Sequence, residues 1–188
     1  MMRFIAALVL AWLTSGPARA DDDAWAALAK GAIGLIRHGA TDGSQGDPPG
    51  FKLDDCATQR NLTPAGRRQI EALGEAVRRR GVAVGRVLTS PWCRTRDTAT
   101  LLGFGPVEDY APLSNLLGRY EASEAQIKEL RPLIASWRGP GALILVSHGS
   151  LILPVSGVHP QEGEIVVVEP RPGESRGLRV VGRIPAPR

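Results

Sequence analysis

Two apolar runs in this 188-residue chain end alike. Ala32-Ile33-Gly34-Leu35-Ile36 leads into Arg37-His38-Gly39, and Ala142-Leu143-Ile144-Leu145-Val146 leads into Ser147-His148-Gly149. Short apolar runs bounded by turn residues have the pattern of strands buried on both faces. Each histidine then falls where a buried strand stops and a loop begins. In an open α/β sheet, chemistry gathers at the carboxyl ends of the strands. The chain has three histidines, and two hold this position. The pattern predicts a two-histidine site at one edge of a sheet.

The segments between the two runs alternate in period. Residues 41–54 are rich in Gly, Pro and Asp and read as a long loop, a frequent home for functional residues. Thr63 caps a helix that Pro64 opens, Ile70, Leu73 and Val77 recur at helical spacing, and Gly81 stops it. A strand is predicted over 84–89, a helix over 93–102, a short strand over 109–113 and an amphipathic helix over 124–137. A helical turn over 150–155 follows, then late strands over 164–169 and 178–184. This alternation predicts a three-layer α/β/α domain with a mostly parallel sheet and a late antiparallel edge hairpin.

The N-terminus reads differently. Met1-Met2-Arg3, an apolar run over 4–13 and Ala18-Arg19-Ala20 have the form of a secretory signal peptide over 1–20. The run is short for a membrane span, although an uncleaved anchor is the alternative. A single domain over 21–188 would remain, with 21–28 as a short amphipathic or frayed lead-in. Loss of Arg3 and Arg19 leaves 21 basic residues against 19 acidic ones, a net charge of +2. So small an excess gives no argument for nucleic acid. Export to an oxidising compartment allows Cys56 and Cys93 to pair, against the alternative of two buried thiols.

Arg37, His38, Arg94 and His148 each lie at or just after a predicted strand end. Their types suit one task, holding a phosphate and attacking its phosphorus. A neutral imidazole is a competent nucleophile, and guanidinium groups bind phosphate oxygens while keeping their charge. The chain resembles the histidine phosphatase superfamily, the phosphoglycerate-mutase-like proteins, in four segments that occur in the family's order. These are Leu35-Ile36-Arg37-His38-Gly39-Ala40-Thr41, Asn61-Leu62-Thr63-Pro64-Ala65-Gly66-Arg67, Leu88-Thr89-Ser90-Pro91-Trp92-Cys93-Arg94 and Val146-Ser147-His148-Gly149. Through Cys56-Ala57-Thr58-Gln59-Arg60-Asn61-Leu62 it resembles the small exported bacterial members.

The resemblance implies a phosphoric monoester hydrolase in which His38 is the nucleophile and becomes phosphohistidine. Arg37 and Arg94 would bind the phosphoryl oxygens, and His148 would donate to them as charge builds. Thr41 would help shape the substrate pocket. No metal or cofactor is implied. The family's usual glutamate acid has no counterpart in Leu113-Ser114-Asn115, so Glu164 is the preferred acid, with Glu121 and Glu124 behind it. His159, in a proline-flanked loop, is assigned no role. The expected partner is a small phosphorylated substrate, with an envelope sugar phosphate as the analogy suggests. Periplasmic or secreted localisation follows from the leader, with no stable membrane insertion after cleavage. Two rivals stand beside this reading: a non-catalytic phosphate-binding module on the same fold, and a zinc protein using His38, His148, Cys56 and Cys93.

Overall fold

The computed structural model describes residues 17–44 and 46–187. Residues 1–16 of the expected leader therefore lie outside the described residues. Six strands form one sheet: β1 (Ile33–Arg37), β2 (Val84–Thr89), β3 (Val107–Asp109), β4 (Ala142–Ser147), β5 (Ile165–Pro170) and β6 (Leu178–Ile184). Their order is β3-β2-β4-β1-β5-β6. The first four are parallel, β5 pairs antiparallel with β1, and β6 closes the edge as the second arm of a hairpin.

Among the described residues, five α-helices cover the two faces. They are α1 (Pro17–Ala29), α2 (Pro64–Arg79), α3 (Cys93–Leu101), α4 (Ser123–Ser136) and α5 (Gly149–Ser156). Side chains alternate along a strand, so the central strands β1, β2, β4 and β5 each feed two cores. Ile36, Ile144, Val146 and Val167 pack with α1, α2 and α3. Leu35, Leu143, Leu145 and Val166 pack with α4 and α5. All six residues of β4 are buried, as a central strand covered on both faces requires. Each large side chain in such a place contributes about 1.5–3 kcal/mol of burial.

Local chemistry sets the boundaries. Thr63 Oγ1 accepts from the Gly66 amide at 3.0 Å, and Pro64 starts α2. Gly81 takes a φ of 68°, the left-handed turn that ends the helix. The strand expected over 109–113 is displaced: β3 occupies Val107–Asp109, and a 3-10 turn runs over Ala111–Leu113. Pro112 lacks the amide that a strand there would donate.

Of the two readings of the lead-in, amphipathic or frayed, the structure shows a regular helix, α1. Ala24 and Leu28 of α1 are fully buried, and the helix packs on β6 and β5. Ala24, Ala27 and Leu28 join the core on the face that α2 and α3 also cover, while Ala26 and Ala29 are exposed. The expected cleavage point after Ala20 falls inside α1, four residues ahead of the buried Ala24. Among the described residues, no helix is long and apolar enough to cross a membrane.

Candidate active site

The register of the central strands brings the two histidines together. Arg37 on β1 is paired with Ser147 on β4, so His38 and His148 leave adjacent parallel strands side by side. The His38 amide donates to the Ser147 carbonyl at 3.0 Å. The ring centroids lie 5.5 Å apart, edge to face. β2 ends at the same edge, where the Ser90 amide donates to Val146 O, and α3 starts just beyond with Arg94 in its first turn. Gly66 lets the start of α2 close on this loop, for a methyl there would stand 2.1 Å from Ala40 O.

A cavity of about 990 Å³ opens at this edge, lined by Arg37, His38, Arg60, Arg94, His148 and Glu162 among others. Its size is at the upper end for small-molecule sites, so it accommodates far more than a phosphate.

The hydrogen bonds fix both tautomers. His38 Nδ1 lies 2.9 Å from the Gly39 carbonyl, which can only accept. Nδ1 therefore carries the proton, and the lone pair is on Nε2. Burial lowers the pKa of His38 to about 3, against the pull of the Gly39 bond and helped by Arg94, Arg37 and Arg60. The ring is neutral at ordinary pH. His148 Nδ1 lies 3.4 Å from an Arg94 Nη2, which can only donate. Its Nε2–H then donates to Ser90 Oγ at 2.8 Å. Burial, with His38 and the arginines, holds this ring well below its ordinary pKa too. Neutral His148 thus has no free N–H for an anion and must gain a proton on Nδ1 to donate.

Three arginines surround these rings in similar ways. Arg37 Nη1 donates to Pro160 O at 3.1 Å, and Nη2 lies 3.5 Å from Glu162 Oε1. Arg60 donates to Ser44 O. Arg94 is gripped by Asp47, with Nη1 to Oδ1 at 2.6 Å. Burial lowers the pKa of Arg37 and Arg94, with Glu162 opposing at Arg37 and Asp47 at Arg94, yet a guanidinium keeps its charge. In each of the three, Nε is buried without a hydrogen-bond partner. Buried donors without acceptors are uncommon in native proteins. Three around one cavity mark a place suited to an anion.

Glu164 is placed elsewhere. Its backbone lies beside the end of β1, as the antiparallel strand requires, with the Arg37 amide on its carbonyl at 3.2 Å. Its carboxylate, however, pairs with Arg183 on β6 at 2.5 and 2.7 Å and accepts from the Gln161 amide. It does not line the cavity, and neither do Glu121 and Glu124. Glu162, two positions earlier, does. Its Oε1 accepts from Thr41 Oγ1 at 2.9 Å and lies 4.0 Å from His38 Nδ1. Thr41 thus shapes the site through Glu162.

His159, assigned no role from sequence, also lines the cavity, so all three histidines do. Arg60 was missed as well, although the segment around it had been singled out. Cys56 and Cys93 are bonded to each other, so neither offers a thiolate to zinc, and that rival loses half its ligands.

A family model described as the histidine phosphatase superfamily (branch 1) matches residues 33–143, more than half of the chain. The chain belongs to the histidine phosphatase superfamily. The matched span carries Arg37, His38, Arg60 and Arg94, and the fold supplies His148 just beyond it. Among solved structures, the chain is similar to the protein histidine phosphatase SixA complexed with tungstate. The identity is 18%, the TM-score 0.58, and 81% of this chain and 96% of that one are covered. It is similar to the product of open reading frame Rv3214 of Mycobacterium tuberculosis, at 17% identity and TM-score 0.57, covering 80% and 95%. It is also similar to a phosphoserine phosphatase of Entamoeba histolytica in complex with 3-phosphoglyceric acid, at 18% identity and TM-score 0.56, covering 76% and 92%. At these identities the likeness is one of fold. No curated protein matches the chain.

Proposed function

We propose that this chain is an exported phosphatase that hydrolyses phosphomonoesters through a phosphohistidine on His38. One observation carries the reading. A neutral imidazole with its lone pair on Nε2 stands in a cavity where three arginines keep buried, unpartnered Nε–H donors. Phosphoryl transfer asks a protein chiefly for positioning and charge stabilisation, and this site supplies both.

His38 Nε2 attacks phosphorus as the bond to the leaving oxygen breaks. Arg37, Arg60 and Arg94 hold the phosphoryl oxygens. A dianion beside His148 favours its imidazolium, which then donates from Nδ1. Glu162 delivers the proton to the leaving oxygen, the role first expected of Glu164. Asn115, on the cavity wall, has no proton to give in that way. Water then attacks the phosphohistidine and gives its proton to the Glu162 carboxylate; the N–P bond breaks, its electron pair returns to His38 Nε2, and phosphate leaves. Acyl phosphates or phosphohistidine, with good leaving groups, need no acid. The polar wall of Asn115, Ser123, Ser150 and Gln161 suits a sugar, so an envelope sugar phosphate is the proposed natural class.

Two features support export: the form of the N-terminal segment, and a disulfide, which persists in oxidising compartments. Fractionation of expressing cells, with mass spectrometry of the mature N-terminus, tests this.

Turnover of p-nitrophenyl phosphate by the wild type, with a loss of at least about 1,000-fold in His38→Ala, is the expected result. Binding of phosphate without turnover of any phosphorylated compound would instead favour the binding module.

A further inference from the structure

Arg94 is fully buried at its side chain, and the carboxylate side chain of Asp47, which pairs with it, is 3% exposed. A buried guanidinium is tolerable only when paired and hydrogen-bonded. Asp47 meets that need with an unusually full set of donors. Oδ1 accepts from Arg94 Nη1 at 2.6 Å and from the Arg60 amide at 3.1 Å. Oδ2 accepts from Arg94 Nη2 at 3.2 Å and from Trp92 Nε1 at 3.1 Å. Asp47 therefore grips the far end of the guanidinium. Nε is left without a partner, on the edge whose Nη2 also reaches His148 Nδ1.

The loop that carries Asp47 is fastened to the start of α3 at further points. Cys56 is bonded to Cys93, the residue before Arg94. Gln59 Oε1 accepts from the Cys93 amide at 3.0 Å. Arg94 Nη1 also reaches the Arg60 carbonyl at 3.3 Å. The two cationic groups Arg60 and Arg94 are thus set by one carboxylate, Asp47, through the backbone of the first and the side chain of the second.

We propose that Asp47 is the positioning residue of the anion site: it turns the Nε edge of Arg94 toward His148 and fixes Arg60 beside it. This deepens the phosphatase reading, since it names what orients the phosphate ligands of that same cavity. Asp47 itself touches neither substrate nor the reacting atoms.

The test is a double-mutant cycle on Asp47 and Arg94, read as affinity for inorganic phosphate by calorimetry and, in parallel, as KM and kcat on p-nitrophenyl phosphate. Asp47→Asn keeps the shape but loses the charge, and its amide faces donors. It is expected to weaken phosphate binding and raise KM by about 10-fold or more. In an Arg94→Ala background, the same substitution is expected to change either value by less than about twofold. Equal losses in the two backgrounds would overturn the proposal, because a general loosening of the loop does not require Arg94. Unchanged phosphate affinity in Asp47→Asn would overturn it as well. Should that variant fail to fold, Asp47→Glu, which keeps the charge but displaces it, carries the same expectation through the same cycle. A wild type that binds phosphate, shows the coupling and never turns over would sink the phosphatase reading and leave this one standing.

Discussion

Glu164 and Glu162 differ by two positions, and strand geometry decides between them. Residues two apart share a face in a strand, but Glu162 lies in the loop ahead of β5, where that rule lapses. Glu164 is drawn to Arg183, while Glu162 reaches Thr41, Arg37 and the cavity. The acid role can be read kinetically. Glu162→Gln is expected to lower kcat on an alkyl phosphate by about 100-fold or more, the scale of general acid catalysis. The loss on p-nitrophenyl phosphate, whose leaving group needs little help, is expected to stay under about 10-fold. Equal losses on both substrates would show that Glu162 acts on Arg37 or His38 and not on the leaving oxygen. His38, His148 and two arginines were legible in the sequence because each sits at a strand end or a helix start. Arg60, Asp47 and His159 were not, since their place depends on how irregular loops fold back, and no periodicity encodes that.

The elements were legible where a single period runs unbroken. The apolar β4, the capped α2 and the final strand over Leu178–Ile184 follow from pattern and turn chemistry. β3 slipped because its three residues give period too little to act on, and Pro112 set the boundary. The loop between β1 and α2 has no regular structure of its own beyond short turns. Its order comes from Asp47, Gln59 and the bond from Cys56 to Cys93. The cysteines are 37 positions apart, and closing a loop of that size stabilises a fold by about 3–4 kcal/mol in the chain-entropy model. Reduction, or Cys56→Ser with Cys93→Ser, is expected to lower unfolding free energy in urea by about that amount. A bridge that merely decorates the surface would give no measurable change.

At the scale of the whole molecule, two buried neutral imidazoles tie stability to pH. Burial lowers the pKa of His38 to about 3 and pushes His148 down as well. In the unfolded chain, such rings take a proton near pH 6.5. Below that pH the unfolded state binds more protons than the native state, so stability falls as pH falls. Their contribution is complete above about pH 6.5 and is lost progressively toward pH 3. Urea titrations are expected to show declining stability from pH 6.5 to 4, with a shallower decline in His148→Gln. A decline unchanged by that substitution would move the effect to the carboxylates. The same burial that costs acid stability keeps His38 unprotonated, with the lone pair that the proposed attack requires, across the whole range.

The central claim is that His38 Nε2 takes the phosphoryl group. Rapid acid-free quenching after mixing with radiolabelled acyl phosphate, followed by peptide mapping, tests it directly. The account predicts label on the His38 peptide, stable to base and released by acid, and absent from His38→Ala. Phosphate released at the wild-type rate with no label on the protein, or label on another residue, would contradict it.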